Sequence, residues 1–179
     1  MATNIFKLGG HVVAESTKLA ATHGTGHIYN VEVPVTEAGT STVDNGKLVS
    51  VSEMGYLRPE VYSLEVPTAT SKVGLVLTTP LIYEESPAGA QNPANFFNDE
   101  GDIARVYDLT QGDIFLILED GIDALATAPV VGNYVKPDGM NIAEIATAPV
   151  TGFVGKIVGK VVRTNGTFYK IQVLANAGK

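Results

Sequence analysis

The sequence contains no cysteine and no tryptophan. Without cysteine there is no disulfide, no thiolate nucleophile and no cysteine zinc site, so stability must come from packing or from assembly. Without tryptophan, a sugar-binding or nucleic-acid-binding protein that depends on large stacking platforms is disfavoured. The two absences exclude small disulfide scaffolds and weaken several classes of binding module.

Long hydrophobic runs and helix signals are also scarce. The longest aliphatic stretches, such as residues 114–118, are strand-sized, whereas a membrane helix needs about 20 apolar residues. The first residues lack the charged region and apolar core of a signal peptide, which predicts synthesis in a cytoplasm without secretion by a signal peptide. The 19 glycines and nine prolines leave few windows for an apolar repeat of helical period. Strands must therefore dominate.

Runs of Val, Ile, Thr, Tyr and Phe alternate with turn-forming residues along most of the chain. The pattern predicts an all-β protein, with a sandwich or barrel-like β domain or domains. The Asn-Gly pairs at 45–46 and 165–166 are typical of tight hairpin turns. The predicted strands cover residues 29–35, 47–51, 61–66, 72–78, 103–109, 114–118, 153–162 and 167–174.

The chain divides into an extended N-terminal arm, residues 1–26, and a β-rich body, residues 27–179. The arm has a short apolar start, a candidate strand around residues 11–14 and a small, polar, glycine-containing end, and we expect it to order only on assembly. The body changes composition at residues 84–100, which are rich in Pro, Gly and Asn. This segment is the one candidate boundary between two subdomains, although a loop within one domain explains it equally well.

One short repeat is present. Ala-Thr-Ala-Pro-Val occurs at residues 126–130 and again at 146–150, and a glycine opens the β segment that follows each copy. Two copies are too few for a solenoid, which needs about three or more. The repeat therefore predicts similar turns leading into two strands.

Charge is distributed unevenly. All 19 Asp and Glu residues precede residue 151, whereas five of the 12 Lys and Arg residues lie in the last 29 residues. A basic C-terminal hairpin thus closes an acidic body. This asymmetry is typical of an electrostatic docking surface, and a lysine-protected sheet edge is the equally weighted alternative.

Strict alternation along both hairpin strands gives one apolar face and one mixed, basic face. The candidate interface consists of Lys156, Lys160, Lys170 and Phe168. Because lysines share this face with apolar side chains, it suits a protein partner better than a nucleic acid, whose phosphates the acidic body would also repel.

Metal and catalytic constellations are weak. His23 and His27 have zinc-ligand spacing on a helix, but the glycines between them disfavour a helix. Residues 98–102 are rich in oxygen ligands without the spacing of a calcium loop. The acidic residues between 102 and 123 supply no particular pair for acid and base chemistry, and no nucleophile elbow or phosphate-binding loop occurs. We expect no enzyme, no metal and no cofactor.

Two regions resemble proteins of tailed-bacteriophage heads. The first comprises Lys72–Glu85, Phe96–Asn98, Ala104–Leu109 and Gly112–Phe115. The second comprises Val131–Val135, Val154–Val162 and Thr167–Leu174, and it is similar to the closing β unit of capsid decoration (cement) proteins. The resemblance covers residues 72–174; the first 70 residues match nothing in it.

The resemblance implies a non-enzymatic virion protein on the capsid surface, made in the host cytoplasm. Its partner would be the major capsid protein of the same virus, and it would form a homo-oligomer, in many members a trimer. It would bind neither membrane nor nucleic acid.

Three alternatives compete with this reading. One is a head-fibre or adhesin-type protein whose acidic residues 84–123 bind a host surface ligand. A second is a shell or tail-tube subunit, and a third is an acidic hydrolase that uses a carboxylate pair.

Overall fold

The chain folds as an all-β protein with two sheets, which confirms the predicted fold class. The computed structural model describes residues 12, 14, 27–34, 42–54, 60–79, 96–164 and 166–176. Within these residues no helix is long and apolar enough to cross a membrane.

The first sheet is a closed five-stranded barrel in the order β1-β3-β2-β4-β5. Its strands are β1 (Ile28–Glu32), β2 (Leu48–Met54), β3 (Tyr62–Glu65), β4 (Gly74–Val76) and β5 (Ile103–Asp108). The β1–β3 pair is parallel, and the other four pairs are antiparallel. Alternate side chains point inward, so small apolar residues such as Val31, Val49 and Val106 fill the barrel.

The second sheet has six strands in the order β6-β11-β10-β8-β9-β7. Its strands are β6 (Ile114–Leu118), β7 (Ile122–Asp123), β8 (Tyr134–Asp138), β9 (Asn141–Ile145), β10 (Val154–Arg163) and β11 (Gly166–Ala175). A single 3-10 turn, Glu119–Gly121, links β6 to β7. The sheet is antiparallel except for the β7–β9 pair.

The main hydrophobic core lies between the barrel and this sheet. Leu48, Leu75 and Leu77 project from the barrel wall into the same buried cluster as Ile157 and Ile171 of the sheet. Residues 73–77 are all buried, because alternate side chains enter either this core or the barrel interior. Burial on both faces explains why this stretch of the sequence is apolar without interruption.

The two copies of the repeat occupy equivalent places. β7 and β9 pair in parallel with Ile122 opposite Ile142, so residues 20 positions apart in the sequence face each other. Gly132 and Gly152, which follow the two copies, both have positive φ, +105° and +84°. The prediction of similar turns leading into two strands is confirmed, since β8 and β10 follow them.

Two residues of the predicted arm are described, and both contact the body. Ala14 is buried at 7% exposure and forms an antiparallel bridge with Ile117 on the outer edge of β6. The N–H of Val12 donates to a carboxylate oxygen of Asp44 at 3.1 Å. The other arm residues lie outside the described part, as do His11 and His23, and ordering of the arm on assembly stays a prediction.

Asparagine side chains join the barrel to the sheet and to its own loops. Asn176, after β11, accepts a hydrogen bond from the N–H of Val73 at 2.9 Å and donates to the carbonyl oxygens of Val73 and Leu109 at 2.7 and 2.6 Å. Asn45 makes a similar pair of bonds with the backbone of Thr78, each 2.8 Å. Each side-chain amide thus accepts from and donates to a backbone peptide, as a β-bridge partner would.

The change from barrel to sheet falls between β5 and β6, at residues 109–113. The candidate boundary at residues 84–100 lies largely outside the described residues, and its described end bonds to Val43 through Asn98. A division into two subdomains stays a prediction.

Candidate functional site

The β10–β11 hairpin contains a β-bulge that changes which residues share a face. Lys156 pairs with Gln172 and Ile157 with Ile171, but the next pairs are Gly159 with Lys170 and Lys160 with Tyr169. Val158 is therefore the extra residue, and the alternation in β10 shifts by one position beyond it.

The expectation that Lys156, Lys160 and Lys170 share one face is therefore wrong. Lys156 and Lys170 lie on the outer face of the sheet, opposite the barrel, whereas Lys160 lies on the face of Tyr169. A Cβ built on Gly159 would lie 3.8 Å from the Lys170 side chain, which agrees with this register. The sequence analysis assumed that side chains alternate without interruption along β10, and this assumption cannot predict the extra residue Val158.

Phe168 is not available to a partner. It is fully buried and packs with Leu116 and Leu118 in a small cluster on the outer face of the sheet. The guanidinium of Arg163 lies 5.5 Å from the centre of its ring. The expectation that Phe168 is an interface residue is thus wrong. The sequence pattern predicted an exposed ring, but Leu116 and Leu118 of β6 cover it.

The three predicted lysines have different surroundings. The Lys156 ammonium lies 5.7 Å from the centre of the Tyr134 ring, within cation–π range, and the residue is half-buried. Lys160 and Lys170 are exposed. The hairpin therefore offers two exposed lysines on opposite faces.

The distal half of β10 has an open side. β8 pairs with β10 only at Gly155 and Lys156, and Ile157 exchanges two hydrogen bonds with the loop at Gly132 and Asn133. Beyond that point, no described strand lies beside residues 158–163. We call this stretch the open edge. Val158 and Val162 on it are 40% and 73% exposed.

The loop before β8 adds apolar surface next to the open edge. Val130 and Val131 are 51% and 46% exposed, and the adjacent Gly132 bonds to the carbonyl of Ile157 at 2.8 Å. Val150, which corresponds to Val130 in the second copy of the repeat, is fully exposed. The sequence signal for these positions was the repeat itself, which ends on a valine in both copies.

Glu144 fixes the shape of this loop. It is 2% exposed and accepts hydrogen bonds from the N–H groups of Leu125 and Val130 at 2.9 and 2.8 Å and from the Asn133 amide at 2.7 Å. Burial alone would raise the pKa of Glu144, but these three bonds outweigh it and lower the pKa below its ordinary value. No sequence pattern distinguished this glutamate.

Two other buried carboxylates, Asp108 and Asp113, also have bonding partners within the fold. Asp108 lies almost wholly buried and forms an ion pair with the half-exposed Lys72. The pair lines a cavity of about 190 Å³ together with Tyr29 and Tyr62, whose rings meet edge to face at 4.9 Å. Asp113 accepts hydrogen bonds from the N–H and hydroxyl of Thr110 at 2.8 and 3.0 Å.

The acidic turn at residues 98–102 is held by its own side chains. Asp102 accepts a hydrogen bond from the N–H of Asp99, and Asp99 accepts one from the N–H of Glu100, both at 2.8 Å. Among the described residues, no three His, Asp or Glu side chains are grouped so that they could hold a metal ion.

The fold defines an all-β class in which a closed barrel packs against a six-stranded sheet. Comparisons with family models, with curated proteins and with solved structures found no match for this chain. The resemblance to capsid decoration proteins therefore stays a prediction from the sequence.

Proposed function

We propose that this chain is a virion structural protein that binds the outer surface of an assembled phage head and stabilises contacts between capsid subunits. Its partner is the major capsid protein, and its oligomeric form on the head is a homo-oligomer. The observation that carries the proposal is the distal hairpin, a basic and partly apolar strand edge on a β body.

The charge of the hairpin suits a protein surface. From residue 151 on the chain has five cations and no carboxylate, whereas the first 150 residues carry 19 carboxylates and seven cations. Lys160 is exposed between Val158 and Val162 on β10, and Lys170 is exposed on the opposite face. Exposed charge steers an encounter, and apolar side chains stabilise the contact once water is expelled.

The buried carboxylates support a structural role over the hydrolase alternative. A general acid and base need two carboxyl groups that face a substrate. Asp108 is paired with Lys72, and Glu144 and Asp113 accept hydrogen bonds from nearby loops. These groups stabilise the fold where they lie.

The test is co-sedimentation of the purified protein with expanded, empty heads of the phage that encodes it. The double variant Lys160→Glu/Lys170→Glu should bind about tenfold more weakly, because two favourable charge contacts become repulsive. Lys136→Glu, an equally exposed change on β8, is the matched control and should bind as the unchanged protein does.

The result also separates the alternatives. Heads that bind none of the proteins would overturn the proposal, and equal binding by the double variant would remove the hairpin from it. Binding to host cells instead of heads would favour the adhesin. Formation of tubes or closed particles by the isolated chain would favour a shell or tail-tube subunit.

A further inference from the structure

We infer that the open edge, residues 158–163 of β10, binds an extended acidic segment of the partner as an added β-strand. This inference deepens the proposed function and rests on it for the identity of the partner. The segment would carry carboxylates between apolar residues and would lie beside β10 where β8 is absent.

Backbone groups on the open edge point away from the hairpin. Arg163 pairs with Gly166 across a two-residue loop, and in such a hairpin this pair exchanges both of its hydrogen bonds. Alternation then directs the N–H and C=O of Val162 and Lys160 to the open side. These two residues offer about four hydrogen bonds to an added strand.

Ile157 supports this assignment independently. Its N–H donates to Asn133 at 2.9 Å and its C=O accepts from Gly132 at 2.8 Å, so its backbone groups also point to that side. With Val158 as the extra residue, Lys160 is the next position to do so. The loop at Gly132 and Asn133 thus occupies the first position of a neighbouring strand, and no described strand continues from it along the rest of β10.

Charge decides what kind of strand fits. An identical basic edge from a second copy would bring like charges opposite each other, which is unfavourable across a strand pair. An acidic strand would place its carboxylates beside Lys160, on the face of the sheet that carries Tyr169. The exposed Val158, Val162 and Val131 supply the apolar part of the contact.

Two synthetic eight-residue peptides test the inference on the isolated full chain. One alternates valine with glutamate and the other alternates valine with lysine. We expect the glutamate peptide to slow amide hydrogen exchange at Lys160 and Val162, and not at Lys136. The lysine peptide should bind about tenfold more weakly, because its charges repel those of the edge.

Val162→Pro removes an N–H from the open edge and should therefore abolish peptide binding. The hairpin itself should stay folded, because proline is tolerated at an edge position whose N–H faces solvent. Val162→Thr keeps the N–H and a similar volume, and it should retain most of the binding. Phe168 pairs with Val161 across the hairpin, so unchanged amide protection at Phe168 in both variants shows that the hairpin is intact. If Val162→Pro disturbs the hairpin, Lys160→Glu is the substitute variant. It should weaken binding of the glutamate peptide and strengthen binding of the lysine peptide.

The same measurements on heads keep this inference apart from the proposed function. If heads bind the protein while exchange at Lys160 and Val162 is unchanged, strand addition is overturned and the function stands. If heads do not bind but the glutamate peptide protects these amides, the function is overturned and the edge stands. A peptide that binds elsewhere, or not at all, overturns the inference.

Discussion

Glu144 holds the loop of residues 124–133 through three hydrogen bonds between 2.7 and 2.9 Å. Glu144→Gln should lower the free energy of unfolding by about 2 kcal/mol at pH 7, because a neutral amide satisfies the buried donors less well. Urea unfolding measures the loss. Glu65→Gln, an exposed change on β3, serves as the control and should have little effect.

The same residue predicts a pH dependence. Because its folded pKa lies below the ordinary 4.5, the stabilisation from Glu144 is fully present above that value and is lost as the pH falls through the lower folded pKa. The stability difference between the natural protein and Glu144→Gln should therefore shrink as the pH falls below 4.5. A difference that stays constant down to pH 2 would contradict this assignment.

Gly152 and Gly132 form a matched pair for a second prediction. Both have positive φ, but a Cβ on Gly152 would lie 2.4 Å from the carbonyl oxygen of Ala69, whereas a Cβ on Gly132 would meet nothing within 4 Å. Gly132→Ala should cost about 1–2 kcal/mol for the backbone conformation alone. Gly152→Ala should cost clearly more, and equal losses in urea unfolding would argue against the close approach to Ala69.

Ala14 provides a test of how the arm is attached to β6. Ala14→Asp would place an unpaired charge against Ile117 at the edge of β6, which should release this part of the arm. We expect faster protease cleavage within the first 26 residues and a stability loss of about 1–3 kcal/mol. Ala126→Asp, in an exposed loop, is the control; equal protease resistance in all three proteins would contradict docking of the arm.

The sequence predicted most strands and missed the features that break their regularity. Residues 114–118 were predicted with the observed bounds, and 103–109 and 153–162 agree to within one residue at each end. Their apolar alternation and flanking turns are strong local signals. β7 and β9 were missed, because one has two residues and the other places Glu144 at a buried position.

The candidate site was predicted only in part, and for physical reasons. The basic hairpin follows from local pattern, but the face of Lys160 depends on the bulge at Val158, and the burial of Phe168 depends on β6, which lies some 50 residues earlier in the chain. The open edge depends on where β8 begins, at Tyr134. Such features arise from pairing between distant segments, which a local period cannot report.

The hydrophobic core that the barrel shares with the six-stranded sheet predicts one cooperative unfolding transition. Leu75 is fully buried between barrel and sheet. Leu75→Ala should lower stability by about 3 kcal/mol. Amide exchange should register this loss equally at Val106 in the barrel and at Ile171 in the sheet. A loss confined to the barrel would instead indicate two subdomains.

The position of β11 has a consequence for synthesis. β11 lies between β6 and β10, and Asn176 after it bonds to Val73, which precedes it by 103 residues. On the ribosome, the barrel and β6 emerge well before the strand that completes their core. Until residues 166–176 join the sheet, Phe115 and Ile117 lack part of the core that buries them, so this core is completed only after β11 has been synthesised.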